Sequence, residues 1–345
     1  MLYVTTRDEK NAYTAYCALS QERGADGGLF VPLRLPRLSR EQINGILSKS
    51  DCGCIAEVLN LFYPARLREE DVEAAVGASP ARLLPMSHRI VIAEVWQNPE
   101  HDLFYAVRRL AQMIHPDSCV PSDWAWISVR LAFLFVLVAQ IQKTGVDIWE
   151  QLLDIAVAAG DFSAPITCWY AREMGLPVGN ILCACNENSG LWDLFHYGQL
   201  RTDALAQETP TADADVSVPK ELERLIFGAL GSEETLRYSA CCRQGKLYTL
   251  EKQSLDTVKD GFFPAVISRK RMASIIPGVY RANAYLLGPY SALAYGGLQD
   301  YRAAAGESRP ALLLTERGPA RDSAVTAEAL GISQSELPAW LDRRG

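Results

Sequence analysis

Residues 152–159, with the sequence LLDIAVAA, begin the pattern that decides the fold of this chain. The stretch is short, apolar and partly β-branched, which is typical of a buried strand. A second such stretch, NILCAC, occupies residues 180–185. Between the two, Gly160 supplies a turn, and residues 165–174 (PITCWYAREM) are predicted to form a helix. A strand, a helix and a second strand in this order predict an α/β protein with a parallel sheet and flanking helices.

The same signals extend the prediction in both directions along the chain. Further buried strands are expected at residues 89–96 and 311–315. Helices are expected at residues 103–114, 221–230, 290–304 and 322–330. The apolar run 124–142, which follows Ser122 and Asp123 as helix caps, contains Arg130 and Gln140. Because of these polar residues we expect it to be a buried core helix and not a membrane span.

The first 80 residues are predicted to be a separate, mostly helical unit. Helices are expected at residues 11–22, after the capping residue Ser39, and at residues 69–76. The expected division is therefore a helical N-terminal subdomain at residues 1–80 and an α/β domain at residues 81–345.

Composition limits the function classes. The chain has 345 residues, with 34 Lys+Arg against 41 Asp+Glu, and a net charge of −7. This balance argues against nucleic-acid binding, which needs a clustered basic surface. The nine cysteines are odd in number and lack zinc-ligand spacing, so we expect neither a disulfide framework nor a metal site. With no signal-peptide pattern at the N-terminus, a cytoplasmic, non-membrane protein is predicted.

Short motifs along nearly the whole chain resemble, in order, those of one enzyme family. The most distinctive is DGGLFVP at residues 26–32. Others are YVTTR at 3–7, SDWA at 122–125, MGLPV at 174–178, DVSVP at 215–219, GPYSA at 288–292 and LTERGPA at 314–320. They resemble the motifs of the threonine synthases, which convert phosphohomoserine to threonine with pyridoxal phosphate (PLP). The resemblance implies the tryptophan synthase β-like architecture, PLP fold type II.

The catalytic centre departs from the family pattern. The family carries F-H-G-P-T-x-A-F-K-D, whose lysine forms a Schiff base with PLP. The corresponding residues 94–105 read EVWQNPEHDLFY, so Leu103 or Phe104 stands at the lysine position. Neither side chain is an amine, so neither can bind the cofactor covalently or carry protons. The family's S-G-D-T-G segment is also absent, which predicts that most of the small cofactor domain is missing.

The family's G-N-F-G phosphate loop is altered as well. Its counterpart is GDFS at residues 160–163, which places Asp161 beside the expected phosphate and favours repulsion. We therefore expect no cofactor, PLP being implied by the resemblance alone. The remnant cofactor site is predicted to comprise Gly160, Asp161, Phe162, Ser163, Asn186 and Thr315.

The cluster Glu100, His101 and Asp102 lies where the lysine is lost. It is either a replacement acid–base set, with His101 poised near neutral pH, or a polar helix N-terminus. Three functions follow, in order of preference. The first is a threonine synthase-like pseudoenzyme that binds a metabolite or a partner. The second is an enzyme with a PLP-independent reaction in the old cleft, and the third is a PLP lyase acting through a displaced lysine.

Loss of the small domain would leave apolar surface exposed, which usually marks an interface. We therefore predict a homo-oligomer or a complex with another protein. The expected contact face includes the helix at residues 124–141 or the segment at residues 94–114.

Overall fold

A computed structural model describes residues 1–96, 102–116, 122–305 and 309–341. Its N-terminal part combines a small antiparallel sheet with four helices. The strands, in spatial order β2–β1–β3, are β1 (Leu2–Thr5), β2 (Asp8–Thr14) and β3 (Phe30–Pro32). The helices are α1 (Ala15–Ser20), α2 (Arg40–Leu47), α3 (Asp51–Phe62) and α4 (Glu69–Val76).

The central sheet has six strands among the described residues. Their spatial order is β10–β7–β6–β11–β5–β4. The strands are β4 (Arg82–Pro85), β5 (Ile90–Glu94), β6 (Leu153–Ala158), β7 (Val178–Cys185), β10 (Phe262–Val266) and β11 (Ala311–Thr315). All neighbouring pairs are parallel except β4 with β5. The predicted parallel sheet is confirmed, and one antiparallel edge strand, β4, makes the whole sheet mixed.

Helices cover both faces of this sheet, and a two-stranded ribbon accompanies them. The earlier helices are α5 (Leu103–Ile114), α6 (Asp123–Lys143), α7 (Ile148–Gln151), α8 (Ser163–Glu173) and α9 (Gly190–Tyr197). The ribbon pairs β8 (Gln199–Arg201) with β9 (Leu247–Thr249). The later helices are α10 (Leu222–Leu230), α11 (Ser232–Gln244), α12 (Lys252–Val258), α13 (Arg269–Asn283), α14 (Pro289–Ala305), α15 (Ser323–Leu330) and α16 (Leu337–Leu341).

The alternation of side chains along β6 explains the layers. Ile155 and Val157 join the apolar cluster that contains α6 and α8, whereas Ala156 and Ala158 join the cluster that contains α13 and α14. Both faces of the strand are therefore buried, which is why residues 152–159 read as a continuous apolar run. The predicted β-α-β unit, formed by β6, α8 and β7, is confirmed.

Helix α6 is the central helix of the larger cluster. It is long and apolar enough to cross a membrane, but 89% of its most apolar window is buried inside the fold. The prediction of a core helix is confirmed. Apart from Trp126, which is partly exposed, the apolar residues of this helix are buried by the chain itself, so the helix does not offer the exposed apolar face that was expected of it. The alternative contact segment at residues 94–114 and the homo-oligomer or partner complex stay predictions.

The N-terminal part differs from its prediction, which included neither its small sheet nor helix α3. Residues 11–14 belong to strand β2 and Ala15–Ser20 is helical, so the predicted helix at 11–22 is confirmed over half of its length. The strand is polar and exposed, and its pairing with β1 determines its conformation. The core also runs without a break from Tyr3 through Trp124 to Leu312. The division at residue 80 stays a prediction.

Candidate functional site

A cleft of about 260 Å³ lies beyond the carboxyl ends of β6 and β11. In α/β sheets this edge is where ligands bind, because loops from neighbouring strands meet there. The described residues that line it are mostly charged: Asp123, Trp126, Arg130, Asp161, Ser163, Asp213, Glu221, Tyr290, Glu316 and Arg317. Five carboxylates thus face two guanidinium groups.

The loop of residues 160–163 closes on itself. The Asp161 carboxylate accepts a hydrogen bond from the Ser163 backbone amide at 3.0 Å and another from the Ser163 hydroxyl at 2.5 Å. Phe162, at φ 73°, lies between them and precedes α8. In that helix Pro165 has no amide hydrogen. A carboxylate of the chain therefore takes the place at the helix N-terminus where an external anion would bind.

Tyr290 closes the same loop from the opposite side. A Cβ atom on Gly160, which has φ +47°, would lie 2.5 Å from the Tyr290 hydroxyl oxygen. Only glycine therefore fits this close approach. Burial raises the pKa of Tyr290, and the charges of Glu316 and Asp161 raise it further, so the phenol stays neutral. The Arg317 guanidinium lies 5.6 Å from the ring centroid of Tyr290.

A buried ion pair crosses the cleft from α6 to the loop after β11. Arg130 is only 7% exposed, and its Nη2 donates to Oε2 of Glu316 at 2.8 Å, while its Nε donates to Oε1. Burial alone would lower the pKa of Arg130, but the Glu316 carboxylate outweighs it, so the pKa is raised. The guanidinium also lies 5.9 Å from the ring centroid of Trp126. The pair is charged and rigidly oriented.

Three further carboxylates at the cleft also have cationic partners. Lys220 Nζ lies 2.7 Å from Oδ1 of Asp123. Glu221 pairs with Arg224, which is fully buried and also donates to the Phe30 carbonyl at 3.0 Å. Asp213 pairs with Arg317. Among the described residues, Asp161 is the one cleft carboxylate bound by no cation.

The other two predicted cofactor residues are engaged elsewhere. The Thr315 hydroxyl donates to the Ala93 carbonyl at 2.9 Å, within the sheet. The Asn186 amide nitrogen donates to Asp215 at 2.6 Å and to Thr211 at 3.1 Å, and its carbonyl oxygen accepts from the Asn188 amide at 2.9 Å. Asn186 thus holds the loop that contains Asp215 against the end of β7. Neither residue lines the cleft.

Part of the predicted acid–base cluster can be placed. Glu100 and His101 lie outside the described residues. Asp102 caps α5, since its Oδ1 accepts from the Tyr105 amide at 3.1 Å and its Oδ2 accepts from Arg321 at 3.0 Å. This geometry is that of a polar helix N-terminus. Of the two residues at the lysine position, Leu103 is buried, whereas Phe104 is 52% exposed and packs against Trp126 at 5.4 Å between ring centroids.

Sequence reasoning missed most of the cleft. Asp123, Trp126 and Arg130 lie on one face of α6, at positions i, i+3 and i+7. Arg130 had the clearest signal, a charged residue inside an apolar run. Its partner Glu316 is 186 residues away, and no local pattern indicates that pairing.

The described part of the chain was searched for metal-ligand clusters and for reactive thiols. Within the ranges given above, no group of three or more His, Cys, Asp or Glu side chains could hold a metal ion. The described cysteines are free thiols. Burial raises the pKa values of Cys54, Cys168 and Cys185 to about 12, so these thiols are unreactive near neutral pH.

Comparison with known proteins gives one consistent family. The family model "Threonine synthase N terminus" matches residues 2–79. Threonine synthase from Pseudomonas aeruginosa is 26% identical over 223 residues, covering 64% of this chain and 45% of that protein. Human "Threonine synthase-like 1" is 27% identical over 147 residues, covering 41% of this chain and 20% of that protein. The matches therefore span less than half the length of these relatives.

Solved structures agree on the fold. A PLP-bound threonine synthase from Brucella melitensis has a TM-score of 0.84 at 18% identity, covering 99% of this chain and 93% of that chain. Threonine synthase from yeast has a TM-score of 0.81 at 15% identity, covering 96% and 90%. The predicted resemblance and the predicted fold are both confirmed. The loss of activity and the missing small domain stay predictions.

Proposed function

We propose that this chain, a relative of the threonine synthases, is a pseudoenzyme that no longer converts phosphohomoserine to threonine and keeps the old cleft as a binding site. The observation that carries the proposal is the loop at residues 160–163. There the Asp161 carboxylate bonds to the Ser163 amide, at the position where a phosphate would need free donors.

The charges around the loop point the same way. Four of the five cleft carboxylates are paired with cations, and these pairs also occupy both cleft guanidinium groups, Arg130 and Arg317. Among the described residues, a phosphate entering the cleft would therefore meet the unneutralised Asp161 carboxylate and no unpaired guanidinium group. At about 4 Å, one like charge costs about 1 kcal/mol in water and more in a partly buried site. PLP does not fit the site as these residues form it.

No lysine stands at the position expected for the Schiff-base residue, where the sequence has Leu103 or Phe104. All eight lie in the described part of the chain, and among them Lys220 is the one that hydrogen-bonds to a cleft-lining side chain, Asp123. Its ammonium is held by Asp123 at 2.7 Å and is half-buried. If any lysine reacted specifically with PLP, we would expect it to be Lys220.

The test is an absorbance titration of the full chain with stoichiometric PLP, followed by borohydride reduction and mass spectrometry of peptides. We expect no long-wavelength band and no single lysine labelled above the others. A trapped adduct on Lys220 that disappears in Lys220→Met would overturn the proposal. Lys252→Met, at an exposed lysine, is the matched control for non-specific labelling.

A second arm tests the loop directly with inorganic phosphate. Asp161→Asn keeps the size of the side chain but removes its charge. We expect the variant to bind phosphate at least about fivefold more tightly than the unmodified chain, since a repulsion of about 1 kcal/mol is removed. Equal phosphate affinity in both proteins would show that Asp161 does not exclude an anion. Asp256→Asn, at an exposed aspartate on α12, should change nothing.

A further inference from the structure

Strand β10 leaves one edge of the central sheet unpaired among the described residues. It is the last strand on its side of the sheet, and it pairs with β7. The Ile181 amide donates to the Gly261 carbonyl at 2.8 Å, and the Ile267 amide donates to the Cys185 carbonyl at 2.9 Å. In a parallel pair, the residues that bond to the neighbouring strand alternate with residues that do not. The odd-numbered positions of β10 thus face β7, and the even-numbered positions turn their backbone groups away from it.

The outer edge of β10 presents several acceptors and few donors. Its outward-facing residues are Phe262, Pro264 and Val266, and no described donor bonds to their carbonyl oxygens. The Phe262 amide bonds back to the Lys259 carbonyl at 2.9 Å, and Pro264 has no amide hydrogen. Of the three residues, Val266 alone offers an outward amide. Because an added strand would bring carbonyl groups of its own, the proline disfavours pairing with a further strand.

A groove of about 810 Å³ lies along this edge. All five residues of β10 line it, together with residues of α9 and with Asp300 of α14. The two helices pack on opposite faces of the sheet, because α9 belongs to the larger apolar cluster and α14 to the smaller one. Trp192 of α9 is half-buried in the groove and stacks on His196, at 3.9 Å between ring centroids. The groove is therefore open along the strand and has an aromatic wall.

The charged side chains of the groove favour a cation. Two carboxylates, Asp193 and Asp300, face one lysine, Lys259. Asp300 pairs with Arg271 at 2.7 Å, and Lys259 pairs with Asp256 at 2.8 Å. Within the described ranges, no cation bonds to Asp193. An unneutralised carboxylate and an aromatic ring beside a row of carbonyl oxygens suit an organic cation, and the net charge of −7 attracts cations in general.

The spacing of the carbonyl groups favours a particular length of cation. Residues two apart in a parallel strand are separated by about 6.6 Å. The two nitrogen atoms of an extended 1,4-diaminobutane lie about 6 Å apart, given ordinary bond lengths. Ammonium groups carry donors and no acceptors, so they complement an edge that lacks donors. The methylene groups between them can pack against apolar side chains of the groove.

We propose that the groove along β10 binds a linear aliphatic diamine or polyamine. Its ammonium groups bond to neighbouring carbonyl oxygens of Phe262, Pro264 and Val266, and the Asp193 carboxylate supplies the opposite charge. The groove shares no lining residue with the cleft beyond β6 and β11, so this inference does not depend on the proposed function.

The first experiment is calorimetry of the full chain at low ionic strength with 1,4-diaminobutane and with spermidine. We expect both to bind. 1,2-Diaminoethane is too short to span two carbonyl groups, and n-butylamine has one ammonium group, as a lysine side chain does. Each should bind at least about tenfold more weakly than 1,4-diaminobutane. Equal binding of either compound, or of Mg²⁺, would overturn the proposal, because spacing and number of ammonium groups would then not matter.

Variants of Asp193 test the charge of the groove. Asp193→Asn should weaken 1,4-diaminobutane at least about fivefold, and Asp193→Lys, which places an ammonium group in the groove, should abolish binding. Glu70→Gln, at an exposed position on α4, removes one negative charge far from the groove and is the control for general attraction. Equal losses in the Glu70 and Asp193 variants would overturn the site.

A measurement on the unmodified chain locates the ligand without any substitution. The backbone amide of Val266 lies on the outer edge of β10, so its resonance in a nitrogen–proton NMR spectrum should shift as 1,4-diaminobutane is added. The amide of Cys183, in the interior strand β7, should shift less. A diamine that binds without shifting the Val266 resonance would overturn the assignment to this groove.

Discussion

At the scale of single residues, a buried carboxylate on α10 links two parts of the chain near the cleft. Glu223 is 4% exposed and accepts bonds from Arg7 at 2.9 and 2.8 Å and from Thr6 at 2.5 Å. It ties the end of β1 to the helix that follows the cleft residue Glu221. Removing one partner of such a pair leaves a charge buried without compensation.

We expect Arg7→Met to lower the free energy of unfolding by about 3 kcal/mol, measured by urea denaturation followed through tryptophan fluorescence. Adding Glu223→Gln to the same chain should restore part of the loss, because no unpaired charge then stays buried.

Arg23 offers the matched control for this pair. Its Nη1 lies 4.0 Å from the same carboxylate, and its side chain is 37% exposed. Arg23→Met should therefore cost less than about 1 kcal/mol. If the Arg7 and Arg23 variants lost equal stability, burial would not be what gives the Arg7 pair its strength.

The residues of the cleft show where sequence reasoning stops. The loop at 160–163 and the acidic residue within it could be located from motif order alone. That Asp161 bonds to Ser163, or that Arg130 pairs with Glu316, could not. The first depends on a left-handed residue, Phe162, and the second on a contact across 186 positions that exists only in the folded chain.

At the scale of elements, α6 illustrates how one cap supports a long helix. Ser122 is 2% exposed, and its hydroxyl oxygen accepts from the Ala125 amide at 3.2 Å while donating to the Ala18 carbonyl. We expect Ser122→Ala to lower the free energy of unfolding by about 2 kcal/mol, at the upper end for an N-cap. The extra cost comes from the carbonyl that is left buried and unpaired.

Helix α13 gives the comparison. Its cap Ser268 is exposed and accepts from the Arg271 amide at 3.3 Å. Ser268→Ala should cost about 1 kcal/mol or less in the same denaturation assay. If Ser122→Ala lost no more free energy of unfolding than Ser268→Ala, burial would not be what strengthens the α6 cap.

The bounds of a helix or strand could be predicted where the local sequence pattern determines them. The runs that became α5 and β11 match their predicted bounds because each carries a strong apolar pattern. Helix α4 also matches, although only Val72 and Ala75 are buried, since acidic residues begin it and Gly77 ends it. Strand β10 was missed: it contains Pro264 and lies at the sheet edge, where a proline is tolerated. Strand β2 was missed because only pairing with β1 makes that polar segment extended.

At the scale of the whole molecule, one apolar core joins the N-terminal helices to the central sheet. Cys54 on α3 and Cys168 on α8 both belong to it, although they come from opposite sides of the predicted division at residue 80. Burial raises the pKa of both thiols to about 12, from an ordinary value near 9. Because the pKa is higher in the folded state, these thiols stabilise the fold fully below pH 9, and the contribution is lost as the pH rises toward 12.

The free energy of unfolding should therefore fall between pH 9 and pH 11, by up to about 1.4 kcal/mol per pH unit for each such thiol. Cys54→Ala and Cys168→Ala should each flatten this slope by the same amount, within a single urea transition. If residues 1–80 unfolded independently, two transitions would be seen and each variant would alter only one of them. A single shared transition would instead mean that both parts of the chain unfold together and that both support the cleft. Loss of the N-terminal packing would then also open the site between α6 and the sheet.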